Sequence, residues 1–471
     1  MNKEQMKKTS RGDAKKKLVS AGILAGCYAL FCYDSRAEKY KFSSSPLRPL
    51  RSLRLCVKNY SFFLFSFFSL HFPFAQVPPG IDFSVPHILV NVIETAPEIG
   101  SQAAVMIDAE TGTAIYAKNA FDEIPPASLA KLMTMYLILN EVNDGRAKLD
   151  DIVPIGAESW AQNQPPRSSL MFLAPGQTVT LREIMLGLAV SSGNDAAVAA
   201  ALYLAPSVDE FARMMTREAR RMGLVKTLFV EPSGISEDNM TTAVEFTAFC
   251  REYLRLHPYS LSEFHSVPEF AYPKAENVSE AYRDNPSTIV QPNRNNLLRK
   301  FPGVDGFKTG YIDEAGYNIA LTAERNNTRF IAVILGAPAG PGGAAIRDRD
   351  ADKLLSWAFG NFRTVRPQIK PLEPARLWKG RGNSVALRLA EPLAFTAPID
   401  RALSLRYQVK INGPLVAPLP ASSPVGWLIF ADDEGEVRRV QLVTAREYQK
   451  GNIFKRIWHS IRLLFRGKRE K

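Results

Sequence analysis

The chain has 471 residues, enough for two or three domains, and 46% of them are hydrophobic and 23% charged, as in an ordinary globular protein. A formal net charge of +12 is compatible with a nucleic acid, a membrane surface or an acidic polymer as partner. The core lacks the interleaved aromatic residues of a nucleic-acid platform, and the five histidines form no H-E-x-x-H pattern. These features argue against nucleic-acid binding and against a metal site.

Residues 1–75 are predicted to be an N-terminal extension that ends in a signal peptide. Residues 1–56 are basic and irregular, and a strongly apolar run then covers residues 62–74, after Lys58. This run is too short to span a bilayer, but its length and basic flank are typical of the hydrophobic region of a signal peptide. Because such a long stretch before a signal peptide is unusual, translation that begins at Val57 is an alternative.

A second candidate export signal lies further upstream. Lysines and a short apolar run precede residues 24–27, whose sequence Leu-Ala-Gly-Cys resembles a bacterial lipoprotein box. Lipidation of Cys27 is therefore an alternative to the signal peptide. Either signal would export the remainder of the chain, in which Cys250 is the only cysteine after Cys56, so we expect no internal disulfide there.

Residues 94–365 are predicted to form the first globular domain, which belongs to the α+β class. Two apolar strands flank a turn at Thr111-Gly112. Helical patterns follow at 128–140, 181–190, 195–204 and 208–222. Further strands lie near 303–309, 316–323 and 329–336, before a closing helix. Strands at both ends with helices between them are typical of an α+β domain.

Residues 366–448 are predicted to form a small all-β domain. Apolar and polar residues alternate from Leu403 to Ile411, and an Asn412-Gly413 turn follows. After this domain, residues 452–471 are predicted to form a basic amphipathic helix with aromatic side chains on its apolar face. Such a helix is typical of an anchor that lies in the membrane interface, and packing on the β domain is the alternative.

Three short motifs could carry chemistry: Ser128-x-x-Lys131, Ser192-x-Asn194 and Lys308-Thr309-Gly310. Residues three apart on a helix share a face, so Ser128 and Lys131 can form a hydrogen bond, and a desolvated neutral lysine could take the serine proton. Each motif also has an ordinary interpretation, as a helix start, a helix cap or a strand end with a turn. The presence of all three, in this order, favours chemistry.

The three motifs resemble those of the penicillin-binding proteins and serine β-lactamases. The surrounding stretches are similar to the low-molecular-mass D-alanyl-D-alanine carboxypeptidases over roughly residues 94–365, and the β domain and tail match that family more loosely. The resemblance implies a helical cluster with an antiparallel sheet and no metal or cofactor. It also implies that the enzyme trims peptidoglycan stem pentapeptides at the outer face of the inner membrane and is acylated by β-lactams.

The resemblance also implies catalytic roles for five residues. Ser128 would attack the carbonyl between the two terminal D-alanines, and Lys131 would be its base. Ser192 would relay a proton to the leaving amine, and Asn194 would bind the substrate amide. Lys308 would help to keep Lys131 neutral, since like charges disfavour each other's protonated forms.

The residues implied in substrate binding follow Lys308 and lie on the last helix of the domain. Thr309 would bind the terminal carboxylate, with Gly310 beside it, and the backbone N–H groups of Ser128 and Tyr311 would form the oxyanion hole. Arg347 stands at the spacing of a carboxylate-binding arginine of the family, and the alternative is a solvated surface arginine.

One departure from the family is Glu231, which stands where an asparagine is usual and is expected to alter a loop near the site. The rival enzyme activities are a peptidoglycan endopeptidase and a β-lactamase on the same fold. No clear E-x-x-L-N pattern, which would supply the deacylating glutamate of a class A β-lactamase, follows the second motif. A non-catalytic wall-binding scaffold is the non-enzymatic alternative.

Overall fold

The computed structural model describes residues 77–84 and 87–466. The signal-peptide run and the Cys27 box lie outside the described residues. The α-helices of these residues are, in chain order, α1 (His87–Ile93), α2 (Lys131–Asn143), α3 (Leu181–Leu186), α4 (Asn194–Leu204), α5 (Val208–Arg221), α6 (Ala243–Leu256), α7 (Leu297–Lys300), α8 (Gly343–Asn361) and α9 (Ile453–Arg466).

Strands precede, interrupt and follow the helices of the first part of the chain. They are β1 (Ala103–Asp108), β2 (Ala114–Lys118), β3 (Glu123–Ile124), β4 (Ile152–Val153), β5 (Val179–Thr180), β6 (Thr241–Thr242), β7 (Glu269–Tyr272), β8 (Ile289–Pro292), β9 (Val304–Ile312), β10 (Gly316–Arg325) and β11 (Thr328–Ala337). The strands of the second part are β12 (Phe362–Val365), β13 (Ala375–Trp378), β14 (Ser384–Val385), β15 (Leu387–Leu389), β16 (Phe395–Pro398), β17 (Arg406–Ile411), β18 (Leu415–Val416), β19 (Pro424–Asp432) and β20 (Gly435–Thr444).

The central sheet is antiparallel, with the strand order β2-β1-β11-β10-β9. Its inner strands are buried on both faces because helices cover both sides, α6 on one and α8 on the other. Side chains alternate across a strand, so Val105 and Ile107 of β1 join the core beneath α6, whereas Ala104 and Met106 join the core beneath α8. The strand β9 forms one edge of the sheet, beside the helical cluster.

The helical cluster packs α2, α3 and α5 around α4. Helix α4 can lie at its centre because its buried positions are mostly alanines, which allow the neighbouring helices to approach closely. Helix α3 begins with a capping box, in which Thr180 and Glu183 satisfy each other's backbone N–H groups. This packing brings the start of α2, which carries the first motif, next to the start of α4, which carries the second.

The second part of the chain is built from short sheets, the largest with the order β15-β20-β19-β17. A buried carboxylate joins it to the first part. Asp108, at the end of β1, accepts hydrogen bonds from the hydroxyls of Thr364 on β12 (2.8 Å) and Thr396 on β16 (2.9 Å). Burial raises the pKa of Asp108, and the bond from Thr364 opposes that shift. The predicted α+β architecture with a following all-β part is confirmed.

Helix α9 contacts the β-rich part through a polar side chain and leaves its apolar face exposed. His459 is buried, accepts a hydrogen bond from the backbone N–H of Lys379 (2.8 Å), and packs edge-on against Trp378. On the other face Phe454 is 80% exposed and Leu464 73% exposed. Among the described residues, none of the helices combines the length and apolarity needed to cross a bilayer.

Candidate active site

The first motif lies at the start of the helical cluster. Ser128 belongs to a 3-10 turn, Ala127–Ala130, that leads directly into α2. Ala127 has φ of 50°, a left-handed conformation that costs energy for an alanine. Such a cost is retained where the surroundings fix the backbone. The Ser128 side chain that follows is half-buried.

Lys131 is fully buried, and its amine is surrounded by three oxygen atoms. The Nζ atom lies 3.0 Å from Ser128 Oγ, 2.8 Å from Asn194 Oδ1 and 2.5 Å from the carbonyl oxygen of Ser233. A neutral amine has two N–H bonds and one lone pair. The oxygens of Asn194 and Ser233 accept only, so in the neutral state they take the two N–H bonds, and the lone pair faces the Ser128 hydroxyl.

Burial is the main reason why the pKa of Lys131 is lowered, to about 7. The carboxylates of Glu231 and Asp195 oppose the shift, and the guanidinium of Arg294 adds to it. The pKa of Lys308 is lowered well below its usual value, first by burial and then by repulsion from Lys131. The repulsion between the two lysines thus adds to the lowering of the Lys308 pKa, whereas the causes that lower the Lys131 pKa are burial and Arg294 rather than the expected Lys308. Near neutral pH a substantial fraction of Lys131 is neutral and able to accept a proton.

The second motif joins one turn of π-helix, Gly187–Ser191, to α4. Ser192 is nearly buried and has φ of 61°, the second left-handed non-glycine residue in the site. Asn194 is the first residue of α4. Its Oδ1 accepts from Lys131, and its Nδ2 donates to Ser168 Oγ over 3.1 Å. The Asn194 side chain therefore links Lys131 to the loop that carries Ser168.

The loop that carries Ser168 is held by Asp195, which the motifs did not single out. The carboxylate of Asp195 accepts hydrogen bonds from the backbone N–H groups of Met171 (2.8 Å), Phe172 (2.8 Å) and Leu173 (3.0 Å). Burial raises the pKa of Asp195, and these backbone bonds oppose the shift. The sequence signal that could have indicated this loop-holding role was an aspartate directly after the S-x-N motif.

The third motif lies on β9, the edge strand of the central sheet. Gly310 packs closely against the 3-10 turn Ala127–Ala130. A Cβ atom at Gly310 would lie 3.0 Å from the Ser128 amide nitrogen. Any larger residue would therefore require the turn to shift away from the strand. The Nζ atom of Lys308 donates to the carbonyl oxygen of the adjacent Thr309 over 2.9 Å, and both residues are buried. The exposed Tyr311 ring lies against Tyr317, with centroids 4.2 Å apart.

Two arginines lie near the third motif, and the motifs pointed to only one of them. Arg347 on α8 is buried rather than solvated; it pairs with Asp348 and lies 5.9 Å from the centre of the Tyr317 ring. Arg294 donates to the carbonyl oxygen of Ser191 over 3.1 Å and lowers the pKa of both active-site lysines. Nothing in its local sequence distinguished Arg294 from a surface arginine.

The three motifs, far apart in sequence, thus meet where the helical cluster contacts the edge of the sheet. Comparison with known proteins agrees with this arrangement. Residues 90–339 match the family model described as D-alanyl-D-alanine carboxypeptidase, and residues 363–450 match the model described as penicillin-binding protein 5, C-terminal domain.

Individual relatives cover most of the chain. It is 32% identical to the D-alanyl-D-alanine carboxypeptidase DacC of Escherichia coli (strain K12), over 79% of this chain and 90% of the relative. The D-alanyl-D-alanine endopeptidase of Pseudomonas aeruginosa is 28% identical over 55% of this chain and 77% of the relative. The solved penicillin binding protein 5 of Haemophilus influenzae superposes with a TM-score of 0.67 at 30% identity, covering 76% of this chain and 99% of that one.

Fold and site together define the class of the penicillin-binding proteins, in which a serine–lysine pair lies between a helical cluster and an antiparallel sheet. Within that class, the chain belongs to the D-alanyl-D-alanine carboxypeptidase family of serine peptidases. The family predicted from the three motifs is thereby confirmed.

Proposed function

We propose that this protein removes the terminal D-alanine from peptidoglycan pentapeptides through an acyl-enzyme on Ser128. The observation that carries the proposal is the environment of the Lys131 amine, whose two acceptor neighbours leave its lone pair toward Ser128 Oγ. Family membership supports the same substrate, because the curated relative DacC is a D-alanyl-D-alanine carboxypeptidase.

In the proposed first step, neutral Lys131 takes the proton of Ser128 while Oγ attacks the carbonyl carbon between the two terminal D-alanines. The developing oxyanion would be bound by the backbone N–H groups of Ser128 and Tyr311, each worth about 3 kcal/mol in typical oxyanion holes. Ser192 would pass a proton to the leaving nitrogen, so that the C–N bond breaks and D-alanine departs. Water then hydrolyses the Ser128 ester by the reverse proton transfers.

The substrate would lie along β9, whose outer edge has no strand partner in the central sheet. Asn194 would bind the substrate amide, and Thr309, next to Gly310 and Tyr311, would bind the terminal carboxylate. The positive charge of Arg294, which acts on Lys308 of the same strand, favours an anionic group at this end of the site. We propose Arg347 as an indirect contributor, because its side chain is paired with Asp348 and packs near Tyr317.

Release of D-alanine tests this function. The protein, incubated with soluble muropeptide pentapeptides, is expected to yield tetrapeptides and free D-alanine, which mass spectrometry detects. Crosslinked muropeptide dimers run in parallel distinguish the endopeptidase alternative, to which the Pseudomonas aeruginosa relative belongs. Cleavage of dimers without loss of D-alanine from pentapeptides would contradict the proposal. The absence of both reactions would favour a wall-binding scaffold.

We also propose that α9 attaches the exported enzyme to the outer face of the inner membrane, as an anchor that follows a catalytic domain (94–365) and a β domain (366–448). The proposal is supported by the orientation of α9, whose apolar face is exposed while His459 packs inward. A helix that stabilises a core would instead bury its apolar face. An exposed apolar patch flanked by basic residues is typical of binding in the membrane interface. Four of the six residues 466–471 are basic, which adds attraction to anionic lipids.

Membrane binding is expected to depend on the apolar face of α9. In the full-length protein, the triple substitution Phe454→Ser, Trp458→Ser, Leu464→Ser should lower the fraction that floats with anionic vesicles by at least tenfold, because each side chain removes apolar area from the interface. The control Tyr407→Ser, Val409→Ser removes exposed apolar side chains of β17 instead and should float like the wild type. Equal flotation of the α9 variant and the wild type would contradict the anchor.

A further inference from the structure

Glu231 organises the loop whose Ser233 carbonyl oxygen accepts a hydrogen bond from Lys131. Its Oε2 accepts hydrogen bonds from the backbone N–H and the hydroxyl of Ser233 (2.7 and 2.6 Å). Its Oε1 accepts from the backbone N–H of Gly234 (2.6 Å), the amide of Asn239 (2.6 Å) and, at 3.3 Å, the backbone N–H of Ser236. The carboxylate thus satisfies five donors of a single loop.

The loop that Glu231 holds packs against Lys131 and against the turn that carries Ser128. The Ser233 carbonyl oxygen accepts from Lys131 over 2.5 Å, and the carbonyl oxygen of Pro232 accepts from Thr134 on α2 over 2.9 Å. Gly234 has φ of 81° and passes so close to Ala127 that a Cβ atom there would lie 1.8 Å from the Ala127 carbonyl oxygen. A small movement of the loop would therefore move the acceptor of the Lys131 amine.

The Ser233 carbonyl matters because of the hydrogen-bond count at the amine. If it were displaced, neutral Lys131 would have only Asn194 as a pure acceptor, and its second N–H could turn toward Ser128. The lone pair would then no longer be held on the hydroxyl that it must deprotonate. General-base catalysis depends on this alignment before it depends on the pKa of the base.

We propose that Glu231 is a positioning residue for the serine–lysine pair: by fixing residues 233–236 it holds the Ser233 carbonyl on Lys131, which directs the amine lone pair to Ser128. The proposal rests on the proposed function, since it assigns Glu231 a part in that acylation step. Glu231 does not touch substrate. An asparagine at this position would be shorter and would have a single acceptor oxygen, so it could not serve the same five donors.

The charge of Glu231 gives the role a measurable signature. Besides the two lysines themselves, four charged groups act on the Lys131–Lys308 pair from the neighbouring elements. Glu231 and Asp195 favour the protonated form of Lys131, Arg294 opposes the positive charge of both lysines, and Arg347 opposes that of Lys308. Removal of the Glu231 charge should therefore lower the pKa of Lys131 from about 7. In Glu231→Gln the acid limb, which is the rise of the acylation rate with pH as Lys131 loses its proton, would therefore shift to lower pH.

The alternative role for Glu231 is that of a base for the deacylating water, as in class A β-lactamases. The five donors around its two oxygens argue against this role, because a carboxylate offers about four lone-pair sites and all are occupied within the loop. The two roles predict effects on different steps. Positioning of Lys131 affects acylation, whereas a dedicated hydrolytic base affects deacylation alone.

The test compares wild type, Glu231→Gln and Glu237→Gln, which removes an exposed carboxylate of the same loop. A fluorescent penicillin gives the acylation rate constant and the deacylation rate constant from about pH 5 to 9. We expect Glu231→Gln to acylate at least about tenfold more slowly on the alkaline plateau, with its acid limb displaced to lower pH, and Glu237→Gln to match the wild type. Glu231→Asp, which keeps the charge but shortens the reach, should lower the plateau without displacing the limb.

Several results would overturn the proposal. Unchanged acylation in Glu231→Gln would do so, as would a loss that is equal at every pH with no displacement of the limb, which indicates a structural role alone. Loss confined to deacylation would assign Glu231 as the hydrolytic base. If Glu231→Gln does not fold, as judged by thermal unfolding, Glu231→Asp decides. Slower acylation on its plateau with unchanged thermal unfolding is the expected result, whereas wild-type acylation, or a loss that accompanies a lowered unfolding temperature, would overturn the proposal. Wild-type acylation is measured first: an unreactive wild type would overturn both proposals, and a reactive one isolates the result for Glu231.

Discussion

Replacement of Ser128 by alanine is expected to abolish acylation by penicillin and to lower D-alanine release from pentapeptides by at least about a thousandfold. The reason is that, within residues 77–84 and 87–466, the hydroxyl is the only group within 3.0 Å of the Lys131 amine that can act as a nucleophile, since the other two neighbours are an amide and a carbonyl oxygen. Mass spectrometry of the intact protein after incubation with penicillin measures the acylated fraction directly.

The matched control is Ser262→Ala, which removes an exposed hydroxyl whose hydrogen bond is to the nearby Tyr259 carbonyl. It should be acylated like the wild type. Thermal unfolding of Ser128→Ala should be close to that of the wild type, because the side chain is only half-buried and Lys131 keeps two acceptors. Full acylation of Ser128→Ala would remove the serine from the mechanism and leave the three motifs without their proposed role.

Replacement of Asp195 by asparagine is expected to lower the free energy of unfolding by about 3 kcal/mol. The carboxylate accepts four backbone N–H bonds, three from Met171–Leu173 and one from Ala196. An asparagine has one acceptor oxygen, and its NH₂ group would face N–H donors, so at least two buried donors would lose their partners. Urea denaturation monitored by tryptophan fluorescence measures the change.

The same variant should also acylate more slowly, because the loop that Asp195 holds carries Ser168, the partner of Asn194. Asp352→Asn, which changes an exposed aspartate on α8, is the control for the loss of a charge and should leave both quantities near the wild-type values. A stability loss below about 1 kcal/mol for Asp195→Asn would mean that the loop is held by other contacts.

The sequence was informative about the site because its chemistry is carried by short local patterns. Ser128 and Lys131 are three residues apart on a helical turn, so their proximity follows from helix geometry alone. The three motifs in this order, together with the stretches around them, were enough to predict the family, which the comparisons confirm. Apolar runs similarly predicted the strands of the central sheet, and the alternation of apolar and polar residues predicted strands in the β-rich part.

Arg294 and Asp195 show why other parts of the site were missed. Each acts on the site through a contact with a residue distant in sequence or through burial, and neither belongs to a repeating pattern. Arg294 influences Lys131 from a position more than a hundred residues away in the chain, through proximity that only the packing of β9 and the helical cluster creates. Glu231 was noted as a departure from the family, but the five donors that it serves become apparent only when the loop is folded.

The sequence by itself determined which residues could be nucleophile and base, the fold class, and the amphipathic character of the last helix, since each depends on the identity and spacing of nearby residues. Tertiary structure alone decided the protonation state of Lys131 and the direction of its lone pair. The first depends on burial and on nearby charges, and the second on acceptors from Asn194 and Ser233, which lie 63 and 102 residues away along the chain. Tertiary structure also decided that the apolar face of α9 is turned outward, because the β-rich part receives His459 instead.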